Sequence, residues 1–263
     1  VSHALASAMR VIFREYDILI AQLEYQYKTG QLSLQRLVFL IQPSVKILAL
    51  FAHISARCWD KMGGSLLDEL QHLLLEQGDT RNKELVLHLF QHASRPFLHM
   101  VSSWIFRGEL DDPYKEFMIQ EDVTVVRDSR MGLDGYSTNY WDNRLLLVHP
   151  HVPKILRTVA PRILTAGKYL NVVRGCIEKG NTGALGSNTL DPAAARAGAV
   201  SLSSHLPQIQ ELSLDAEGSA TALITIVEQS YIYSSRSLLR LLQHGHHLTT
   251  HLQSLSRFFL LDH

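Results

Sequence analysis

TAGKYLNVVRG, residues 165–175, sets a glycine beside a lysine and closes on an arginine and a second glycine. Two readings compete for it. A phosphate-binding loop turns several backbone N–H groups toward one point, so its lysine follows a glycine-rich turn and precedes a magnesium-binding serine or threonine. Here Tyr169 follows Lys168, and Arg162 stands where the leading glycine belongs. The other reading is a helix surface. Ile155, Leu156, Val159 and Ile163 form one apolar stripe, and Tyr169, Leu170, Val172 and Val173 resume it. The pattern predicts helix over 152–166, a break at Gly167, and a packed helical joint in place of a nucleotide site.

The same periodicity extends in both directions. Leu5, Met9, Ile12, Tyr16, Leu19 and Leu23 recur at steps of four and three, the seam of a helix packed lengthwise on others, and Gly30 stops it. Residues 33–42 read as a helix that Pro43 kinks or restarts. The continuation over 44–59 is so apolar that its companions must cover nearly every face. Gly63-Gly64 is expected to break the chain, with Ser65 and Asp68 as a capping-box-like start for a helix ending before Gly78. Helices follow at 82–93 and 96–107, the second capped by Ser94 and closed by Gly108.

Asp111-Asp112-Pro113 marks a turn, and residues 117–140 read as a long loop with one extended piece at 123–126. From 180 to 204 glycine, alanine, serine and asparagine dominate, too little apolar surface to offset the entropy of ordering it. Helices return at 221–243 and 246–261. The fold class is all-α: antiparallel helical bundles forming an elongated scaffold, with a long loop and a low-complexity insertion.

Bulk composition narrows the function. The chain has 263 residues, 46% apolar, with 25 basic against 25 acidic side chains. Neutrality argues against nucleic acid or an anionic membrane as the main partner, since both reward a basic excess, and favours another protein. Cys58 and Cys176 lack CxxC spacing, which disfavours a disulfide framework or thiolate metal site and fits a reducing cytosol. No run approaches the ~18–20 apolar residues that cross a bilayer. The absence of an initiator methionine, and an end inside an apolar helical pattern, suggest a fragment.

Candidate chemistry is sparse. His244, His247 and His251 fall at i, i+3 and i+7, yet lack the glutamate of HExxH and a further ligand, so a solvated histidine-rich surface is expected. His88 and His92 lie among leucines and read as packing residues. Asp111 and Asp112 suit a turn better than an acid–base pair. No GxSxG elbow occurs, and neither cysteine has the surroundings of a nucleophile. YWDNR, 140–144, could orient a substrate in an enzyme or anchor an interhelical joint in a scaffold; the joint is the commoner arrangement.

Three stretches together resemble the gamma-tubulin complex components, the Grip-motif proteins: WIFRGELDDPYKEFM (104–118), NYWDNR (139–144) and KILRTVAPRILTAGKYLNVVRGC (154–176). SLQRLVFLIQPSVKILALF (33–51) and HLQSLSRFFLLD (251–262) resemble the same family in the same order. The resemblance makes Trp104, Arg107, Gly108, Asp112, Pro113, Tyr114, Glu116 and Phe117 family-motif positions, structural or interacting. Tyr140, Trp141, Asp142 and Arg144 join them, as do Gly167, Lys168, Tyr169, Leu170 and Asn171.

The resemblance implies residues 1–176 as the C-terminal part of a first Grip domain, 177–220 as a low-complexity linker or insertion, and 221–263 as the opening helices of a second. It further implies a non-enzymatic scaffold that packs laterally on neighbouring components and arranges gamma-tubulin, carried mainly by the largely absent second Grip domain, as a microtubule template. Cytoplasm, cytoskeleton and a microtubule organising centre (spindle pole or centrosome) are the implied setting. No cofactor, metal, nucleic acid or membrane is expected. A rod from a membrane-tethering complex would show the same seams without GKYLNVVR, and a metal- or phosphate-dependent enzyme would centre on His244–His251 or Lys168.

Overall fold

The computed structural model describes residues 1–122, 144–180, 217–245 and 248–259, without the side chains of 176–180, 217–220 and 244–245. The described residues are dominated by helices, as the periodicity predicts. Helix α1 (Ser2–Lys28) ends before Gly30, whose φ of +73° is left-handed. Helix α2 (Leu34–Cys58) starts at Ser33, whose hydroxyl accepts a hydrogen bond from the Arg36 backbone at 3.3 Å. It runs through Pro43 without a restart. Pro43 is exposed, so water can serve the carbonyl that its missing N–H leaves unbonded.

The expectation that companions surround α2 fails. Its base is buried through Leu50, Phe51, Ile54 and Cys58, but Leu34, Val38, Phe39 and Val45 are exposed. By length and composition α2 could cross a bilayer, which corrects the expectation that no segment reaches that threshold.

Helix α3 (Gly63–Glu76) begins earlier than its sequence suggests, with both glycines inside its first turn. They permit close approach of other chain segments. A Cβ on Gly63 would lie 1.9 Å from the Glu116 carbonyl oxygen, and one on Gly64 2.1 Å from that of His151. Ser65 does bond back to Met62, donating to its carbonyl at 2.7 Å. Asp68 takes no part in the cap; it accepts from the Lys154 backbone N–H at 2.8 Å.

The two helices expected at 82–93 and 96–107 are one, α4 (Thr80–Arg107), with Pro96 inside it. Ser94 is no cap; it is buried in mid-helix and donates to the Gln91 carbonyl at 3.0 Å. Internal proline costs about 3 kcal/mol. Each fully buried large apolar side chain returns roughly 1.5–3 kcal/mol, and Val86, Leu89, Phe90, Phe97, Leu98, Val101, Trp104 and Ile105 are all essentially sealed. Tertiary burial therefore keeps the helix continuous across a residue that would end an isolated one. α4 is the central helix of the described residues, packed by both α1 and α3.

After α4, strand β1 (Ile119–Glu121) pairs antiparallel with β2 (Leu145–Leu147), Ile119 opposite Leu147. The extended piece expected at 123–126 lies outside the described residues. Two short 3₁₀ turns, His149–His151 and Lys154–Leu156, replace the helix expected from 152, and Pro153 lies between them. Helix α5 (Ala160–Gly180) then runs without a break through Gly167, against the expected interruption. α5 packs on α4 and on helix α6 (Glu217–Arg240), whose Leu223 and Val227 belong to the same buried cluster. A π turn (Leu241–Gly245) leads to α7 (Leu248–Phe259), whose Leu252, Leu255, Phe258 and Phe259 are exposed. The tract at 180–204 lies outside the described residues but for Gly180.

Because Gly64 faces a backbone carbonyl, Gly64→Ala is expected to cost at least about 2 kcal/mol, as overpacking against a rigid neighbour does. Gly78→Ala meets nothing within 4 Å and is expected to leave the chain as stable as before. Paired thermal melts of the two variants check this.

Candidate functional site

Five of the motif positions, Trp104, Gly108, Gly167, Leu170 and Asn171, meet at the joint between α4 and α5. Trp104 is sealed, and its indole N–H donates to the Ile163 carbonyl at 2.9 Å. The ring lies flat against Gly167: a Cβ there would sit 2.0 Å from the indole Cε2. One turn later, α4 ends at Gly108 in the left-handed region, φ +65°. Its backbone touches α5 so closely that a Cβ would lie 2.7 Å from the Asn171 nitrogen. The Asn171 amide donates to the Gly108 carbonyl at 3.1 Å, satisfying an acceptor that the helix end leaves open. Leu170 is buried beside it, and Arg174 pairs with Glu109 at 2.8 Å.

The loop after Gly108 closes on itself. The Asp112 carboxylate accepts from the backbone N–H groups of Glu116 (3.1 Å) and Phe117 (2.7 Å), which holds Pro113 and Tyr114 in a tight turn and Lys115 at φ +55°. Phe117 is thereby driven into the core against Phe97, ring centroids 5.7 Å apart. Glu116, buried, turns to α1 and accepts from the Ser2 hydroxyl at 2.7 Å and the Ser2 backbone at 3.3 Å. A carboxylate at a helix N-terminus answers its open N–H groups and its dipole. Tyr114 is exposed, its ring 4.9 Å from that of His3. Arg107 is exposed too.

On α5, Lys168 and Tyr169 are half-buried in mid-helix, and Tyr169 packs toward Tyr231 of α6 at 6.3 Å. Burial and the neighbouring tyrosine raise the Tyr169 hydroxyl above its ordinary range. The backbone around Lys168 belongs to the helix ladder and presents no concave nest for a phosphate. Arg144 pairs with Glu121 across the strand pair at 2.6 Å. Tyr140, Trp141 and Asp142 lie outside the described residues.

Other chemical candidates dissolve on inspection. His88 and His92 stack edge to face at 4.5 Å, and burial, then His88 and Arg95, lowers the His92 pKa. Among the described residues no group of three or more His, Cys, Asp and Glu side chains could share a metal ion; His247, with the side chain of His244, lies outside them. Burial pushes the Cys58 thiol up to about 11, away from nucleophile chemistry. Sequence reasoning missed Glu109, Ser2 and the Ile163 carbonyl as partners of the motif; the apolar stripe marks the Ile163 side chain, but no periodic signal marks its carbonyl, Glu109 or Ser2. What the joint can do is hold a fixed angle between helices.

The family model described as gamma tubulin complex component N-terminal matches residues 1–244. Gamma-tubulin complex component 2 of Mus musculus is 35% identical over 266 residues, covering 100% of this chain and 26% of that protein. Spindle pole body component alp4 of Schizosaccharomyces pombe is 30% identical, again over 100% of this chain and 37% of its own length. Gamma-tubulin complex component 3 of Homo sapiens is 27% identical over 98% of the chain and 27% of its length. The DDPYKEFM wording of 111–118 leans the same way, toward component 2. The chain thus spans roughly a quarter to two fifths of these relatives.

Two outcomes follow, one from the joint and one from the burial of Cys58. Gly167→Val is expected to lower stability by at least about 3 kcal/mol, through collision with the Trp104 ring, with calorimetry as the measure; a melting temperature equal to that of the parent would contradict the seat described. Cys58, whose thiol burial holds at about 11, is expected to react with iodoacetamide at pH 8 on the order of a hundredfold more slowly than after unfolding.

Proposed function

Because this chain belongs to the gamma-tubulin complex component family, we propose that it is a non-enzymatic scaffold segment that packs laterally on neighbouring components and helps to arrange gamma-tubulin as a microtubule template. The observation that carries this reading is the fate of the motif: Trp104, Gly108, Asp112, Glu116, Phe117, Gly167 and Asn171 are all spent on holding helices together. A brace needs invariant angles, and these contacts fix angles.

The benefit is entropic. Free tubulin dimers lose translational and rotational freedom on meeting, several kcal/mol per association, and a small lateral cluster makes too few contacts to recover it. A stiff scaffold that already holds gamma-tubulins side by side raises the effective concentration of binding sites for the next dimer. Gamma-tubulin would be held mainly through a second Grip domain. The setting proposed is the cytoplasmic cytoskeleton at a microtubule organising centre, spindle pole or centrosome, in keeping with the name of the fission-yeast relative.

The division into first-Grip (1–176), linker (177–220) and second-Grip (221–263) segments is likewise a proposal. Leu223 and Val227 share the core of the preceding segment, so a boundary there would separate stretches of sequence that still pack together. Limited proteolysis within 177–220 is expected to leave two pieces that co-purify.

The purified chain is expected to co-elute with a neighbouring gamma-tubulin complex component from the same source, and Gly167→Val to abolish this by unfolding the brace. Failure of both this chain and a full-length protein containing it to bind that component or the assembled complex would refute the proposal.

A further inference from the structure

Between α1 and α2 lies a cleft of about 130 Å³ that opens to solvent. It is too small for the ~300–1,000 Å³ class of small-molecule pockets and close to the ~150 Å³ that holds one benzene-sized group, so it fits a single side chain. Three aromatic rings bound it, Phe13 and Tyr16 of α1 and Phe51 of α2. Phe13 and Phe51 stand edge to face with centroids 5.5 Å apart, and Phe13 is 40% exposed, which leaves ring surface within reach of an occupant. Ile12 and Ile47 supply aliphatic wall.

Charge selects the occupant. Glu15 is the one charged side chain in the lining; it is exposed and enters no ion pair among the described residues. The neighbouring charges point elsewhere. Arg14 is two residues from both Ile12 and Tyr16, Asp17 two from both Glu15 and Leu19, and Lys46 two from both Ser44 and Leu48. Two residues turn a helix by ~200°, so these three side chains leave from the far sides of their helices, and none of them lines the cleft.

A carboxylate among ring faces, with no cation of its own, is the chemistry that receives a cationic group: the rings offer their negative faces and Glu15 the counter-charge. An acidic occupant would be repelled. An aliphatic one would press against Glu15 and remove its water without compensation. Arginine suits the cleft better than lysine, because its planar guanidinium stacks on a ring, pairs with a carboxylate through two N–H groups and is the more weakly hydrated. The Ser44 hydroxyl, also in the lining, can accept a further N–H.

We propose that the α1–α2 cleft is a receptor for one arginine side chain of a partner protein, its guanidinium stacked among Phe13, Tyr16 and Phe51 and paired with Glu15. The site goes beyond the scaffold role and draws on none of the contacts invoked for it.

The test uses the whole 263-residue chain, carbon-labelled at phenylalanine and tyrosine. The probe is an alanine-based helical peptide with one central arginine. Its titration is expected to shift the NMR signals of the Phe13, Tyr16 and Phe51 rings saturably. Peptides with citrulline, which keeps the shape without the charge, or leucine in place of the arginine are expected to bind at least about fivefold more weakly. Glu15→Gln, at an exposed position and with a circular dichroism spectrum matching the parent, is expected to bind the arginine peptide as weakly as the parent binds the citrulline one. Equal binding of the arginine and citrulline or leucine peptides, undiminished binding by Glu15→Gln, or absence of saturation at about 10 mM peptide, ten times a millimolar Kd, would each overturn the proposal. Self-association of the chain alone, abolished by Glu15→Gln, would give the cleft to a second copy and overturn the partner assignment.

Discussion

An indole lying on a glycine holds the two halves of this molecule at one distance. Trp104 projects from α4, the central helix, and only a residue without a side chain lets α5 come near enough for the ring to reach the Ile163 carbonyl. Helix α6 is packed chiefly on α5 and touches α4 as well, and the paired Arg162 and Glu228 merely rim it. The ion pairs at the rim are exposed and worth little each. Sealed aromatic surface does the stabilising, and the indole hydrogen bond chooses the orientation.

The loop from 109 to 118 complements this seat from the other side. Asp112 organises the turn, Phe117 enters the core beside Phe97, and Glu116 receives the first turn of α1. Two contacts far apart in sequence, Trp104 with Gly167 and Glu116 with Ser2, therefore close the bundle around α4. Each of them draws on backbone groups of a helix, so neither can slide by a turn without leaving polar atoms unpaired. That is the property on which the proposed scaffold role draws.

The all-helical class was legible because amphipathic period is local: Leu5 to Leu23 and Leu223 to Val227 announce their faces without reference to anything else. What failed to read were effects acting through space. Pro96 looked like a helix start, and the burial of Phe97 and Leu98 overrode it. Gly63, Gly64 and Gly167 looked like breaks, yet each lies inside a helix to admit a carbonyl or a ring from elsewhere. The strand pair is only three residues per strand, too short to show a period. At the site, that Asn171 serves Gly108 and Arg144 serves Glu121 cannot be read from separations of 63 and 23 residues. α2 announced its apolarity and not the lack of neighbours.

The unequal packing of the α1–α2 hairpin carries a mechanical consequence. Its base is embedded through Leu5, Met9, Leu50 and Ile54, while toward Gly30 the side chains of Tyr25, Tyr27 and Leu34 stand in solvent. Local opening is easiest where few apolar contacts must be broken, so compliance grows steadily from root to tip, as in a tapered spring leaf. A leaf clamped at one end absorbs small angular misfits between adjoining bodies at its free end and passes little torque to the clamp.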